Sequence, residues 1–169
     1  CMFPEFIKAL AEVKAAAATV DLSRPEFVRN IVDPINALKG DDLPVSAFNG
    51  REDGTWDNGT AAYEKRGIAV NVPEWNVENC IQCNQCSYVC PHAAIRPFLA
   101  TEEEATASGL AWKQGLGETK AYKFRIQVSP LDCTGCGNCV DVCPSKTKAL
   151  VMKPLESQMA EAENWNAVI

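Results

Sequence analysis

The sequence lacks the signatures of several common protein classes. No apolar run approaches the roughly 18 residues of a membrane-spanning helix, and the longest candidate is residues 15–20. A single histidine leaves no material for a His-based catalytic triad, and neither a Gly-x-Gly-x-x-Gly fingerprint, a P-loop nor a thiamine diphosphate site is visible. Basic residues are outnumbered 16 to 22, giving a net charge of −6. We therefore expect no membrane partner, no nucleic-acid partner and no catalytic residues in this chain.

The remaining composition is that of an ordinary globular protein, with 47% apolar and 22% charged residues. A length of 169 residues allows one ordinary domain or two small ones. The nine cysteines are an odd number and no signal peptide precedes them, which argues against a secreted disulfide framework. We interpret the protein as cytoplasmic. Cys1 is expected to be a free thiol, and its place before Met2 suggests a fragment or a processed product.

The N-terminal part of the chain shows helical and then turn-rich patterns. Apolar residues at helical spacing predict a short helix over about 4–18. A capping box beginning at Ser23 predicts a second helix that continues through Leu38, is closed by Gly40 and is kinked by Pro34. Residues 41–62 are rich in turn-forming dipeptides. This composition predicts a wrapping arm or a linker.

The most informative feature is an internal repeat that contains the other eight cysteines. Each copy predicts a strand, a cysteine loop, a short helix begun by Cys-Pro, and a second strand. The predicted strands are residues 68–72, which stop at Pro73, and 94–95 in the first copy, with 124–128 and 149–151 in the second. Residues 100–120, between the copies, are predicted to form a surface loop.

Each copy carries the run Cys-x2-Cys-x2-Cys-x3-Cys-Pro, the spacing by which bacterial ferredoxins hold 4Fe–4S clusters. A tight loop presents three thiolates to one cluster, while the fourth cysteine, predicted at the start of a helix, reaches the other cluster. The predicted ligands of cluster I are therefore Cys80, Cys83, Cys86 and Cys143. The predicted ligands of cluster II are Cys133, Cys136, Cys139 and Cys90. The crossed ligation predicts that this region is largely unfolded without its clusters.

Two other uses of the cysteines are less consistent with the pattern. Structural zinc prefers paired Cys-x2-Cys dyads, often with histidine, whereas these cysteines form evenly spaced triplets. Disulfides are rare in a reducing compartment. His92, predicted in the first turn of a helix, is expected to lie at the surface and not to bind metal. An apolar shell around the clusters is expected from the following residues: Ile81, Tyr88, Val89, Val140 and Val142.

The repeat and the regions around it define the expected fold class, which is α+β. A ferredoxin-like domain with two 4Fe–4S clusters and pseudo-two-fold symmetry follows a helical and turn-rich linker arm. The four tryptophans are expected to pack against this domain, although a role as electron relays is a second interpretation.

Several segments together resemble pyruvate:ferredoxin (flavodoxin) oxidoreductase over roughly residues 22–156. Two cysteine runs alone would indicate only a ferredoxin-like protein, and the Glu64-Lys65-Arg66 segment before them is what points to this family. The segments that carry the resemblance are 43–48, 53–55, 63–70, 72–75, 80–86, 90–96, 122–127 and 132–139.

The resemblance implies a part of an oxidoreductase of pyruvate metabolism in anaerobic cells. The family enzyme oxidatively decarboxylates pyruvate to acetyl-CoA and CO2, using thiamine diphosphate, Mg and a third 4Fe–4S cluster. These groups are expected in the rest of the enzyme and not in this chain. Electrons are expected to pass from the thiamine-side cluster through the two clusters here to ferredoxin or flavodoxin. The other domains or subunits are expected partners, and the full enzyme is expected to be a homodimer.

The resemblance also suggests a domain division. Residues 1–21 are predicted to end a preceding domain or form a helical extension, 22–76 to be the Glu-Lys-Arg linker domain, 77–156 the two-cluster domain, and 157–169 a tail. A free-standing two-cluster ferredoxin is the alternative function. The roughly 79 residues before the first cluster speak against it, because a bare carrier needs no such arm.

Overall fold

The computed structural model describes residues 23–169. The helix predicted over 4–18, the proposed segment 1–21 and Cys1 lie outside these residues. The chain divides into two compact units, Cys1–Glu64 and Lys65–Ile169. None of the helices in the described part of the chain is long and apolar enough to cross a membrane.

The first unit contains the predicted second helix. A π-helical segment, Val28–Val32, leads directly into helix α1, Asp33–Asn36. The prediction of a kink at Pro34 corresponds to this π-helical segment. Proline lacks the N–H that a regular helix requires there, and the wider π turn accommodates the missing hydrogen bond. Val28, Ile31 and Val32 are buried, as their helical spacing indicates.

This helix ends earlier than predicted, at Asn36 and not at Gly40. The Lys39 amide donates to the Pro34 carbonyl at 2.8 Å, and Leu38 adopts a left-handed conformation with φ of 59°. These are the features of a Schellman ending, in which Leu38 takes the position that glycine usually fills. Leu38 is consequently exposed and does not extend the buried helix face.

The predicted turn-rich region forms short 3-10 helices joined by turns. They comprise Gly40–Asp42, Val45–Phe48 and Thr60–Tyr63. Aromatic contacts hold this unit together. Trp56 packs edge-on against Phe27 with ring centroids 5.1 Å apart, and the Arg51 guanidinium lies 3.9 Å from the Phe27 ring.

The second unit is built from two small antiparallel sheets. Strand β1, Asn71–Trp75, pairs with β5, Leu150–Pro154. In the other sheet the strand order is β2-β4-β3, comprising Ile95–Ala100, Lys123–Val128 and Lys113–Gln114. Each long pairing thus joins a strand before one cysteine run to a strand after the other run.

The strand predicted at 68–72 is wrong in its bounds, because β1 begins at Asn71 and continues through Pro73. Pro73 faces Met152 in the ladder, and the neighbouring bond from the Asn76 amide to the Ala149 carbonyl places Pro73 in a non-hydrogen-bonded pair. The missing N–H therefore costs no ladder bond, since it would point away from β5.

The surface loop predicted over 100–120 is also wrong, because this segment contains helix α3, Glu102–Ser108, and the short strand β3. Thr101 and Glu104 form a capping box at the start of α3, and Gly109 ends the helix with φ of 65°. Thr101-x-x-Glu104 is a recognisable helix-start signal in the sequence.

Two helices with cysteines and one at the C terminus complete the unit. Helices α2, Gln85–Tyr88, and α4, Asn138–Asp141, each follow the second cysteine of a run, and α5 spans Ala160–Val168. The core lies between the sheets and these short helices. Its buried members include Ile95, Phe124, Ile126, Val128 and Leu150, together with the thiols of Cys86 and Cys139.

Candidate metal centre

The eight cysteines of the two runs surround two separate cavities. Cavity I is lined by Cys80, Cys83, Cys86 and Cys143. Cavity II is lined by Cys90, Cys133, Cys136 and Cys139. Each cavity thus receives three cysteines from one run and the fourth from the other run. Within the described residues, no group of three or more His, Cys, Asp or Glu side chains is placed to hold a single metal ion.

Equivalent cysteines of the two runs have the same degree of exposure. The middle cysteines, Cys83 and Cys136, are exposed, and the third, Cys86 and Cys139, are buried. The remaining four are partly buried. The two cavities are therefore built alike, with one thiol at the surface and one in the shared core.

The cysteine loops have matching left-handed residues. Gln82 and Asn84 in the first run have φ of 60° and 59°, and Gly135 and Gly137 at the same places in the second have φ of 73° and 80°. Turns of this kind gather backbone N–H groups into concave surfaces that bind anions, including iron–sulfur clusters. At Gly135 a Cβ would also lie 2.8 Å from the Asn71 carbonyl oxygen, so close packing adds to the preference for glycine there.

The fourth cysteine of each run follows a short helix and does not begin one. Helices α2 and α4 end before Cys90 and Cys143, so the prediction of a helix begun by Cys-Pro is wrong. Pro91 instead lies in a turn, and the chain then enters the next strand. The Ala94 amide donates to Cys90 Sγ at 3.3 Å, which fixes this sulfur as the strand begins.

Backbone amides also approach two other sulfur atoms. The Gly135 amide lies 3.3 Å from Cys133 Sγ, and the Ala149 amide lies 3.5 Å from Cys143 Sγ. N–H donors near sulfur stabilise negative charge on a bound cluster and tune its reduction potential. The loops therefore provide donors suited to an anionic iron–sulfur group.

Burial governs the acidity of the thiols. It raises the pKa of Cys86 to about 11 and that of Cys139 to about 12, and the neighbouring thiols add to both shifts. Burial likewise raises the pKa of Cys133. Because metal ions bind the thiolate form, loading either cavity must release protons from these cysteines.

The apolar walls of the cavities differ in part from the predicted shell. Ile81 lines cavity I, and Val140 packs against the core. Tyr88 is 86% exposed and Val89 is 36% exposed, so these two residues contribute little to the apolar shell. The strands and the residues just before them instead provide most of the wall, through Trp75, Ile126, Ala149 and Leu150 in cavity I. In cavity II they provide Pro73, Ala94, Ile95, Val128 and Met152.

His92 lies in a turn, contrary to the predicted helix, and is exposed as expected. It lies on the wall of cavity II beside four cysteines. Two of the four tryptophans pack as expected: Trp165 is buried against Phe98 with ring centroids 6.0 Å apart, and Trp75 packs against the core. Trp56 instead packs against Phe27 within the first unit.

Comparison with known protein families agrees with this geometry. Residues 13–69 match EKR, a domain of unknown function, and residues 79–147 match a 4Fe-4S dicluster domain. The chain is 60% identical over 158 residues to the pyruvate:ferredoxin oxidoreductase of Moorella thermoacetica. The chain is homologous to one segment of the pyruvate:ferredoxin oxidoreductases. The resemblance predicted from the Glu-Lys-Arg segment and the cysteine runs is thereby confirmed.

Two further relatives show how widely this segment occurs. The chain is 57% identical over 143 residues to a pyruvate-flavodoxin oxidoreductase of Enterobacter agglomerans, and 48% identical over 162 residues to a pyruvate dehydrogenase [NADP(+)] of Cryptosporidium parvum. The three matches cover 91%, 83% and 90% of this chain, but only 13%, 12% and 8% of the relatives. The chain thus corresponds to the ferredoxin-like 4Fe–4S segment of much longer oxidoreductases, consistent with electron transfer inside them.

Proposed function

We propose that this chain relays electrons through two 4Fe–4S clusters within a pyruvate:ferredoxin oxidoreductase. Cysteines 80, 83, 86 and 143 would hold cluster I, and cysteines 133, 136, 139 and 90 would hold cluster II. The observation that carries the proposal is the sorting of eight thiols into two cavities, each with three neighbours from one run and a fourth from the other. When bound, the clusters supply one-electron chemistry at low potential.

The residues present fit such groups. Each cavity offers four thiols, the number a cubane cluster requires. Backbone amides approach three of the sulfur atoms, and Trp75, which lines cavity I, has a buried indole N–H without a hydrogen-bond partner among the described residues. A buried donor without a partner is costly unless an acceptor is bound nearby, and cluster sulfide is such an acceptor.

The protein contributes positioning and exclusion of water. The core residues between the cavities hold Cys86 and Cys139 in place, and the strands shield the inner faces of both cavities from solvent. We infer a pseudo-two-fold relation between the two copies. The matching pairings of β1 with β5 and of β2 with β4, and the matching left-handed residues, support it.

We further propose the setting of this relay. The parent enzyme would convert pyruvate to acetyl-CoA and CO2 with thiamine diphosphate, Mg and a third cluster held by its other domains. It would be a cytoplasmic homodimer of anaerobic cells that delivers electrons to ferredoxin or flavodoxin. The proposed division of the chain is an extension at 1–21, a linker at 22–76, the cluster domain at 77–156 and a tail at 157–169. The names of the relatives support the proposed reaction, although one of them names NADP(+).

The size of the natural gene product tests the proposal that this chain is part of a larger parent enzyme. An antibody against residues 80–143 is used to probe a lysate of the source cells after denaturing electrophoresis. We expect a band several times larger than 18.4 kDa, because the matched relatives extend far beyond this segment. A band near 18.4 kDa would contradict the proposal and favour a separate subunit or a free-standing carrier.

A further inference from the structure

The two cavities match in the exposure of their cysteines, as described above. Backbone amides bond one sulfur in cavity I, that of Cys143, and two in cavity II, those of Cys90 and Cys133. The charges and side-chain donors around the cavities are a second source of difference between the reduction potentials of the clusters.

The first such difference lies at two equivalent positions of the repeat. Lys148 and Ala93 each precede the alanine whose amide bonds the fourth cysteine, and both have φ of 49°. The Lys148 ammonium group donates to three carbonyl oxygens, those of Val140 at 3.0 Å, Asp141 at 3.1 Å and Cys143 at 2.9 Å. Ala93 has no such group. A cation is thus fixed on the backbone of one cavity I ligand, and its counterpart in cavity II is absent.

A second lysine binds another ligand of cavity I. The Lys113 ammonium group donates to the carbonyl oxygens of Cys80 at 2.6 Å and Val77 at 2.8 Å. In the part of the chain that the structure describes, neither Lys113 nor Lys148 is paired with a carboxylate. Their charges are therefore not cancelled locally.

The third difference is a neutral donor. Trp75 and Val128 each lie five residues before the first cysteine of a run, and they line cavities I and II respectively. The indole N–H of Trp75 is buried without a partner among the described residues, whereas valine offers only hydrocarbon. Cavity I is thus lined by a residue with a buried donor, whereas the side-chain donors that line cavity II, His92 and Thr134, are exposed to solvent.

The charges beside cavity II bind other groups than the cysteine carbonyls. Asp132, next to Cys133, forms an ion pair with Lys65 and accepts a hydrogen bond from Ser129. Arg96 donates to the Ala93 carbonyl at 2.8 Å, which is not the carbonyl of a cysteine. No lysine or arginine in the described residues binds the carbonyl of a cavity II cysteine as Lys113 and Lys148 do in cavity I.

We propose that the cluster in cavity I is reduced before the cluster in cavity II, because Lys113, Lys148 and Trp75 stabilise its added negative charge. Reduction adds one electron to a cluster and breaks no bond, so nearby cations and donors favour the reduced form. The lysines are positioning residues that act through the ligand backbone. This inference rests on the proposed two-cluster function, and it means that an electron inside this chain settles on cluster I.

The test is a stepwise reduction of the anaerobically prepared holoprotein with dithionite, followed by electron paramagnetic resonance. Lys148→Ala copies the side chain of Ala93, and Trp75→Val copies Val128. We expect each of these two variants, and also Lys113→Met, to move the higher-potential step to more negative potential and to leave the lower step nearly unchanged. Lys120→Ala removes an exposed lysine elsewhere and is expected to move neither step appreciably.

The reciprocal variant Ala93→Lys adds the matching cation to cavity II, where the Ala93 side chain is exposed and has room for it. We expect it to move the lower step to less negative potential. If Lys148→Ala fails to retain its clusters, the Ala93→Lys variant still tests the order in which the two clusters are reduced. Lysine variants that move the lower step, move both steps equally or move neither would overturn the inference. A wild-type protein that takes up two electrons in a single step would also overturn the inference, whereas one that takes up fewer than two electrons would refute the proposed two-cluster function.

Discussion

Cys90 and Cys143 are the residues that distinguish crossed from uncrossed ligation. If Cys90 belongs to cluster II, Cys90→Ser should reduce the iron content from about eight to about four atoms per chain, since one cubane is lost. Adding Cys136→Ser should then cause little further loss, because both changes affect one cluster. Adding Cys83→Ser should remove nearly all remaining iron.

The two double variants are each other's control, and iron is measured in anaerobically purified protein. Uncrossed ligation would give the reverse result, with Cys90→Ser and Cys83→Ser together retaining about four irons. That outcome would contradict the assignment made from the cavities.

At the residue scale, the spacing of the runs predicts the same grouping of the cysteines as the lining of the two cavities, and the ligation of clusters by these groups stays a prediction. The lysines and Trp75 could not be predicted in this way. Lys113 lies 33 residues from Cys80 in the chain, and only the pairing of β3 with β4 places it beside that loop. The equivalence of Lys148 and Ala93 also needs the structure, because the second copy has two more residues between its fourth cysteine and the following alanine.

At the element scale, helix α5 is fixed to the sheet by a buried charged network. Arg125, 5% exposed, donates to Glu161 at 3.0 Å and to Gln127 at 2.7 Å, and Gln127 also donates to Glu161 at 2.7 Å. Glu161→Ala would leave the guanidinium group partly buried without its carboxylate. We expect the free energy of unfolding of the holoprotein to fall by about 1.5–3 kcal/mol.

Chemical denaturation under anaerobic conditions measures this effect. Glu163→Ala, two residues further along α5 and exposed, is the matched control and should change the free energy of unfolding by less than about 0.5 kcal/mol. Equal effects of the two substitutions would show that the network does not anchor the helix.

The elements also show where sequence patterns mislead. The alternation of residues 68–72 predicted a strand there, yet Val70 is 81% exposed and the ladder begins at Asn71. Periodicity could not reveal that Pro73 occupies a non-hydrogen-bonded position, because that depends on the partner strand. The helix at 102–108 was missed although its capping box is local and visible.

At the scale of the whole molecule, the clusters are expected to hold the second unit together. Its core includes the thiols of Cys86 and Cys139, and the four cysteines that line each cavity come from two distant parts of the chain. Removing iron with a chelator under reducing conditions should therefore abolish hydrogen-exchange protection in β1, β4 and β5, because binding free energy and folding free energy are coupled.

Amide exchange measured by mass spectrometry on holoprotein and apoprotein makes this comparison, and reconstitution with iron and sulfide should restore protection. Strands that stay protected after iron removal would contradict the coupling and indicate that the sheets fold without clusters.

The most direct measurement of the central claim is the content of iron, acid-labile sulfide and zinc in the anaerobically purified chain. The account predicts about eight irons and about eight sulfides per chain, since each cavity holds one cubane. Two zinc ions per chain and no sulfide would contradict it, because the eight thiols would then form two structural zinc sites.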